Sequence, residues 1–310
     1  MSILIAAGFA LPLPAGASVN VVTTIKPVHA LVAAVMKGVG QPYLIVKGGS
    51  SPHTYALRPS DAAALQGAAV VFWVGPSLET FLETGLPKLG ASARIVELGT
   101  ATGIVRRTYR RGADWHDDHD HGSGGHGSGG HEAEEHTHDP HVWLDPVNAE
   151  AIVLAAARAL AAADPGRRDL YNANAAATVE RLRQLKSDLE RRLAALRGRN
   201  FFVFHDAYVH LEDRFRIPAA GAISLGNARA PGARHLRKLR KRIAQRKIAC
   251  VFSEPQFEPK LVRTLIAGTS VRTGTLDPLG ADLPAGPDLY FTLMARNAAA
   301  LEACLGDNRT

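Results

Sequence analysis

Short apolar runs alternate with segments of helical pattern along the first hundred residues. Four runs are rich in β-branched and aromatic residues, which predicts strands over residues 19–25, 43–46, 69–74 and 94–98. The first three runs are followed by segments that predict helices beginning near His29, Ser60 and Ser77, with Ser60 or Asp61 expected to cap the second. Strands and helices in alternation predict a parallel sheet covered by helices.

The same alternation restarts after residue 200. The stretch FFVFH at residues 201–205 is apolar almost throughout and predicts a buried strand that ends in a histidine. Further strands are predicted over residues 217–223, 248–252 and 270–274. Helices are predicted between them over residues 207–215, 234–247 and 258–268. The second half of the chain is therefore expected to form another parallel α/β unit.

A long helical segment separates the two units. Helices are predicted over residues 146–162 and 165–197, and the second carries a leucine stripe at Leu182, Leu185, Leu189, Leu193 and Leu196. At 1.5 Å per residue this helix would be roughly 50 Å long. The predicted fold is α/β, with two similar lobes that each hold a parallel β-sheet flanked by helices. We expect an N-terminal lobe over residues 18–164, one rigid connecting helix over 165–198 and a C-terminal lobe over 199–310.

The N-terminus predicts export. An apolar run from Ile3 to Leu13 precedes the small-residue pattern Ala15-Gly16-Ala17, which indicates a signal peptide over residues 1–17, although the basic n-region is missing. The run is too short for a stable membrane anchor. The chain's two cysteines, Cys250 and Cys304, fit one disulfide in an exported protein, with two buried free thiols as the alternative. These features predict a freely diffusing periplasmic protein without membrane insertion.

Positive charge is concentrated in the second half. The net charge is +7, and residues 1–150 carry 10 Lys and Arg against 14 Asp and Glu, whereas residues 151–310 carry 26 against 15. Much of the excess lies at residues 234–247, RHLRKLRKRIAQRK, where apolar residues recur at helical spacing. A nucleic-acid-binding helix would look similar, but no aromatic residue interleaves the cations and the export signal argues against that function.

Residues 114–146 hold eight of the thirteen histidines. The part over 114–139 mixes histidine with glycine, serine and carboxylates and has almost nothing apolar to bury, which predicts a mobile, water-exposed loop. At HVWLDP, which begins with His141, the composition changes to that of a chain re-entering a packed domain. His141 is thereby separated from the other seven histidines of the tract.

Candidate ligands are selected by their position after the strands. In parallel α/β sheets ligands bind beyond the carboxyl ends of the strands. The polar residues found there are His53, His205, Glu254 and Asp277, and His141 re-enters beside them. Three imidazoles with one carboxylate suit Zn²⁺, whereas Mn²⁺ would prefer more oxygen ligands. Glu254 could equally be a supporting or capping group, and Asp277 the cap of a proline turn. The remaining histidines are expected in the core: His29, His210 and His235.

Several motifs resemble one known family. GGSSPHTYALRPSD, HDPHVWLDP, FFVFHDAY, ACVFSEPQF and GTSVRTGTLDPLG occur in this order over nearly the whole mature chain, together with an acidic histidine loop. They resemble the periplasmic zinc-binding proteins of high-affinity zinc ABC importers, while related manganese-binding proteins lack the loop. The resemblance implies two lobes bridged by a rigid helix, with Zn²⁺ held between them and delivered by a monomer to a membrane permease driven by an ATPase.

The resemblance also implies the ligand set. The matching positions are His53, His141 and His205, and the last is a glutamate in the manganese-binding relatives. Some zinc-binding members carry a glutamate before the first histidine, where this chain has Pro52. The fourth ligand is then either water or Asp277.

The histidine loop supplies a second set of expected metal ligands. These are His116, His119, His121, His126, His131, His136 and His138. They are expected to collect several ions weakly, and the alternative is that the loop is only a solvated spacer.

Three function classes remain from the sequence. Capture and release of zinc for transport, without chemistry on the metal, is the predicted function. A periplasmic zinc buffer without transport is the alternative from the same residues. A zinc hydrolase would also use three histidines and a water, but the chain has no HExxH helix and no general base beyond Glu254. We therefore expect a protein that is not an enzyme.

Overall fold

The computed structural model describes residues 19–110, 138–224, 232–245, 247–258 and 260–306. The predicted signal peptide over 1–17 lies outside the described residues, as do six of the seven loop histidines, His138 being the exception.

The first lobe contains a four-stranded parallel sheet. Its strands are β1 (Val21–Thr23), β2 (Tyr43–Leu44), β3 (Val70–Trp73) and β4 (Arg94–Glu97). They lie in the order β2-β1-β3-β4. The helices of this lobe are α1 (Lys26–Val35), α2 (Pro59–Gln66), α3 (Thr80–Glu83) and α4 (Leu86–Leu89). Helix α2 begins at Pro59, and of the two predicted capping residues Asp61 contributes from the third helical position, where its carboxylate accepts a hydrogen bond from the Arg58 backbone N–H at 3.0 Å.

Two long helices follow, α5 (Pro146–Ala163) and α6 (Arg168–Leu193). Asp145 caps α5 by accepting a hydrogen bond from the Val147 N–H at 2.9 Å. Helix α5 is long and apolar enough to cross a membrane, but 67% of it is buried inside the protein, as in the core helix of a globular protein. Most of the α6 leucine stripe is buried, as shown by Leu182, Leu189 and Leu193.

The second lobe repeats the topology of the first. Its strands are β5 (Phe201–His205), β6 (Gly221–Ser224), β7 (Cys250–Ser253) and β8 (Arg272–Thr275), all parallel. Their order is β6-β5-β7-β8, which is again second, first, third, fourth. The helices are α7 (Val209–Phe215), α8 (Ala233–Gln245), α9 (Lys260–Ile266) and α10 (Leu289–Leu305). The predicted fold class is confirmed, whereas the exact lobe boundaries stay a prediction.

Helix α10 was missed by the sequence reading. It packs against β8, α6 and α1, and Cys304 near its end forms the predicted disulfide with Cys250 of β7. Its buried apolar residues recur at helical spacing, as in Leu289, Leu293, Leu301 and Leu305, so the sequence does carry the pattern of this helix. The disulfide fastens this terminal helix to the second sheet.

The lobes contact each other directly through the loop that follows β8. The Lys26 ammonium at the start of α1 donates hydrogen bonds to the carbonyls of Gly280, Ala281 and Leu283 at 2.8–2.9 Å. The Trp143 indole N–H donates to the Pro278 carbonyl at 2.8 Å. A continuous apolar core also extends across both lobes. The carboxyl edges of the two sheets are thereby held facing each other.

Candidate metal centre

Three histidines from different segments meet between the lobes. His53 lies in a 3₁₀ turn, Pro52–Thr54, in the loop after β2. His141 immediately precedes a second 3₁₀ turn, Val142–Leu144, which leads into α5. His205 is the last residue of β5, at the carboxyl edge of the second sheet. His141 and His205 are buried and His53 is half-buried, so the cluster opens to solvent on the His53 side.

The spacing of the ring nitrogens matches a tetrahedral metal. The Nε2 atom of His141 lies 3.4 Å from that of His53 and 3.3 Å from that of His205. One nitrogen from each ring lies within 4.8 Å of the others. Nitrogens bound to Zn²⁺ at about 2.0–2.1 Å in a tetrahedron would be separated by roughly 3.3 Å. Among the described residues, no other group of three or more potential ligands is brought together in this way.

Two carboxylates orient the rings. The His205 Nδ1 lies 2.8 and 2.9 Å from the Glu254 oxygens, and the His141 Nδ1 lies 3.0 Å from Asp139 Oδ1. An imidazole that donates its Nδ1–H to a carboxylate presents the Nε2 lone pair to a metal and becomes a better ligand. Glu254 therefore has the position of a supporting group, one of the two roles left open by the sequence. Asp139 was not recognised from the sequence, although it lies two residues before His141.

Burial keeps two of the imidazoles neutral. Desolvation and the neighbouring rings lower the pKa of His53 to about 2 and lower the pKa of His141 well below its ordinary range. Burial also lowers the pKa of His205, but the carboxylates of Glu254, Asp139 and Asp206 together outweigh burial and the net pKa is raised. Since only neutral imidazole binds a metal, His53 and His141 are ready ligands at neutral pH. His205 is the ring from which zinc must displace a proton.

Zinc affinity is expected to fall about tenfold per pH unit as the pH decreases below the raised pKa of His205. His205 carries a proton at pH values below its pKa, and zinc must compete with that proton. Competition with one proton gives a slope of one in a plot of log affinity against pH. His53 and His141 add nothing to the slope because their pKa values lie far lower. Chelator competition at a series of pH values measures this slope.

The Glu254→Gln variant is the control for this pH dependence. It retains an acceptor for His205 but removes the charge that raises the pKa of that ring, so the loss of affinity should begin at a lower pH. A slope near three in the wild-type protein would contradict the assignment, because it would require all three rings to titrate.

Asp277 is not part of the histidine cluster. Its carboxylate accepts hydrogen bonds from the backbone N–H groups of Leu279, Gly280 and Ala281 at 2.6–2.9 Å. It also accepts one from the Gln256 side-chain amide at 2.9 Å. These contacts are those of a carboxylate that caps the turn after β8, which was the alternative role expected for Asp277.

The other predicted histidines occupy different places. The backbone of His138 forms an isolated antiparallel β-bridge with Thr108. The Nδ1 of its side chain lies 2.8 Å from the Arg106 guanidinium, away from the cluster. His29 and His210 are buried and contact backbone carbonyls, as expected for core residues. The side chain of His235 lies outside the described residues.

An ion-pair network behind the site joins the two lobes. The Arg110 guanidinium bonds the carboxylates of Asp206, which follows His205, and Glu212 in α7. Arg214 of α7 bonds Asp145, the cap of α5, at 2.7 Å. Sequence reasoning missed these partners because each pair is separated by at least 69 residues. The network supports the strand that presents His205.

Two parallel α/β lobes with a histidine cluster between them define a metal-binding protein of the solute-binding class. Residues 21–304 match the family model for ZnuA, the periplasmic component A of a zinc-uptake complex. The chain belongs to this family. It is a periplasmic zinc-binding protein of a zinc uptake system, which confirms the predicted cargo and location.

Curated relatives match over nearly their full length. A high-affinity zinc uptake protein ZnuA of Brucella abortus (strain 2308) is 44% identical over 319 residues, covering 96% of this chain and 95% of the relative. The ZnuA of Paracoccus denitrificans (strain Pd 1222) is 39% identical over 307 residues, covering 95% and 94%.

Solved structures share the fold. A crystal structure of ZnuA aligns with a TM-score of 0.77 at 22% identity, covering 93% of this chain and 100% of that one. The periplasmic zinc-binding protein TroA from Treponema pallidum aligns with a TM-score of 0.77 at 23% identity, covering 94% and 100%.

Proposed function

We propose that His53, His141 and His205 bind one Zn²⁺ as cargo through their Nε2 atoms. The observation that carries this proposal is the 3.3–3.4 Å separation of the His141 Nε2 from the Nε2 atoms of His53 and His205, which equals the edge of a zinc–imidazole tetrahedron. The fixed Nδ1 contacts of His141 and His205 and the low pKa values of His53 and His141 support it further. Binding of the ion displaces the proton of His205 and involves no further chemical step.

The fourth position is assigned to water. Use of Asp277 as a ligand would disrupt its hydrogen bonds to three partly buried backbone amides, and each N–H group left unpaired would cost up to about 3 kcal/mol. Pro52, beside His53, has no side-chain atom that could bind a metal. The half-buried His53 edge leaves room for a solvent ligand. Asp277 then stabilises the loop after β8, whose backbone carbonyls accept hydrogen bonds from the side chains of Lys26 and Trp143.

Capture and release fits this site better than hydrolysis. A zinc hydrolase needs a general base that reaches the metal-bound water. The two carboxylates nearest the cluster in the described part of the chain, Asp139 and Glu254, are hydrogen-bonded to its rings on the side away from the Nε2 atoms. They are therefore placed to orient ligands and to balance charge.

The loaded protein, acting as a monomer, delivers zinc to an ABC permease whose ATPase drives import. Transport into proteoliposomes that contain the cognate permease and ATPase tests this step. Zinc uptake and ATP hydrolysis should both require the wild-type protein, and a His53, His141, His205 triple alanine variant should support neither. Zinc binding without any stimulation of uptake would instead identify a periplasmic buffer.

A further inference from the structure

Helix α8 exposes a face made of cations. Arg234, Arg237, Lys238 and Lys241 are all exposed, and their spacing places them on one side of the helix. The buried side of the helix is apolar, since Leu239 and Ile243 are 1% exposed. The cationic face therefore points directly away from the protein.

No acidic residue balances this face locally. Residues 214–253 contain eleven Lys and Arg and no Asp or Glu. Within the described residues, none of the four cations forms an ion pair, in contrast to the Arg and Lys residues of α6. Four unpaired cations on about two helical turns create a strong local positive potential.

The position of α8 keeps the face clear of the zinc centre. Helices α8 and α9 cover one side of the second sheet through a separate apolar cluster that includes Phe202, Val251 and Leu265. Helix α10 packs with the main core, which extends to the first lobe. Helix α8 thus forms the outer surface of the second lobe, where a large flat partner has access.

We propose that the α8 face docks on the surface of an anionic phospholipid bilayer. A protein partner would be expected to find aromatic or apolar anchors in the centre of its interface. The exposed large apolar residues of the described chain are Ile95, Leu154 and Leu170, and none lies on α8. The α8 face carries positive charge but no exposed large apolar residue, and this composition suits binding to a layer of phosphate headgroups. Each Lys or Arg near such a layer increases the affinity of the protein for the membrane roughly fivefold.

Membrane attachment through α8 would assist delivery of the cargo. The protein belongs to an uptake system and must reach a transporter embedded in the membrane. Weak, salt-sensitive binding to lipid concentrates the loaded protein on that surface while leaving it free to diffuse laterally. This role does not depend on which residues bind zinc.

Sedimentation with vesicles tests the proposal. The zinc-loaded mature protein should bind vesicles of mixed phosphatidylglycerol and phosphatidylcholine at low salt, and this binding should weaken as the salt concentration rises. It should not bind vesicles of phosphatidylcholine alone. Changing Arg234, Arg237, Lys238 and Lys241 to glutamine should weaken binding by more than about a hundredfold. Zinc affinity should be unchanged, which separates this test from that of the metal site.

A control variant removes four positive charges from a different part of the protein surface. Lys37, Lys88, Arg94 and Arg168 are exposed cations outside the second lobe. Their replacement by glutamine should reduce vesicle binding only slightly. Equal loss in the two variants, or no binding of the wild type to anionic vesicles, would overturn the proposal. Attachment that appears only when the permease is present would assign the face to a protein partner and overturn it as well.

Discussion

Zinc affinity should fall by about two orders of magnitude or more when His141 is replaced by alanine. The apparent binding free energy of a structural zinc site, about 10–16 kcal/mol, corresponds to roughly 3 kcal/mol for each of four ligands. His141 is the central ring, with its Nε2 within 3.4 Å of both neighbours. Its removal also takes away the ring nitrogen that contacts the Asp139 carboxylate at 3.0 Å. Chelator competition at neutral pH measures the loss.

His29 provides the matched control for this variant. It is also buried, at 5% exposure, lies in the same lobe and contacts a backbone carbonyl. His29→Ala should cost stability but leave zinc affinity within about twofold, because the residue makes no contact with the cluster. If His141→Ala retained wild-type affinity while remaining folded, the proposed centre would be wrong.

Removal of the disulfide should reduce the free energy of unfolding by about 4 kcal/mol. Cys250 and Cys304 are 54 residues apart in sequence, so the bond closes a long loop and restricts the unfolded chain. Both residues are buried, and the bond fastens α10 to β7. Urea denaturation of the zinc-free Cys250→Ala, Cys304→Ala double variant measures the effect.

Chemical reduction of the wild-type protein is the control for the disulfide prediction. It removes the bond without changing side-chain volume greatly, and its cost should agree with that of the double variant. Both forms should bind zinc normally in the absence of urea, since neither cysteine touches the histidine cluster. A difference below about 1 kcal/mol from the intact protein would contradict the entropic account.

Local pattern was sufficient for most of the fold and for the three histidines. The inner strands β1, β3, β5 and β7 are short apolar runs, and such runs remain recognisable because both faces of a parallel sheet are buried at its centre. The edge strands β4 and β8 are partly exposed and more polar. His53 and His205 follow strands, and ligands in this architecture lie at the carboxyl edge. The composition change at His141 separated that ring from the histidine loop that precedes it.

Features that depend on distant residues could not be predicted in this way. The contacts that hold helix α10, with α1, α6, β8 and the disulfide, join segments that are far apart in the chain. Lys26 would ordinarily be placed on the surface, yet it is 7% exposed because three carbonyls from the other lobe surround its ammonium group. The turn after β8 contains an aspartate that looked like a ligand, and only its backbone partners distinguish a cap from a ligand.

The unequal support of the three rings has a kinetic consequence. Asp139 and Glu254 hold His141 and His205, whereas His53 lies in a short loop turn and no carboxylate within the described residues contacts its ring. An incoming ion would first meet two rigid donors at the lobe interface, and His53 would close over it last. Departure would follow the reverse order, and we therefore expect the lifetime of the loaded state to depend on the motion of the loop that carries His53.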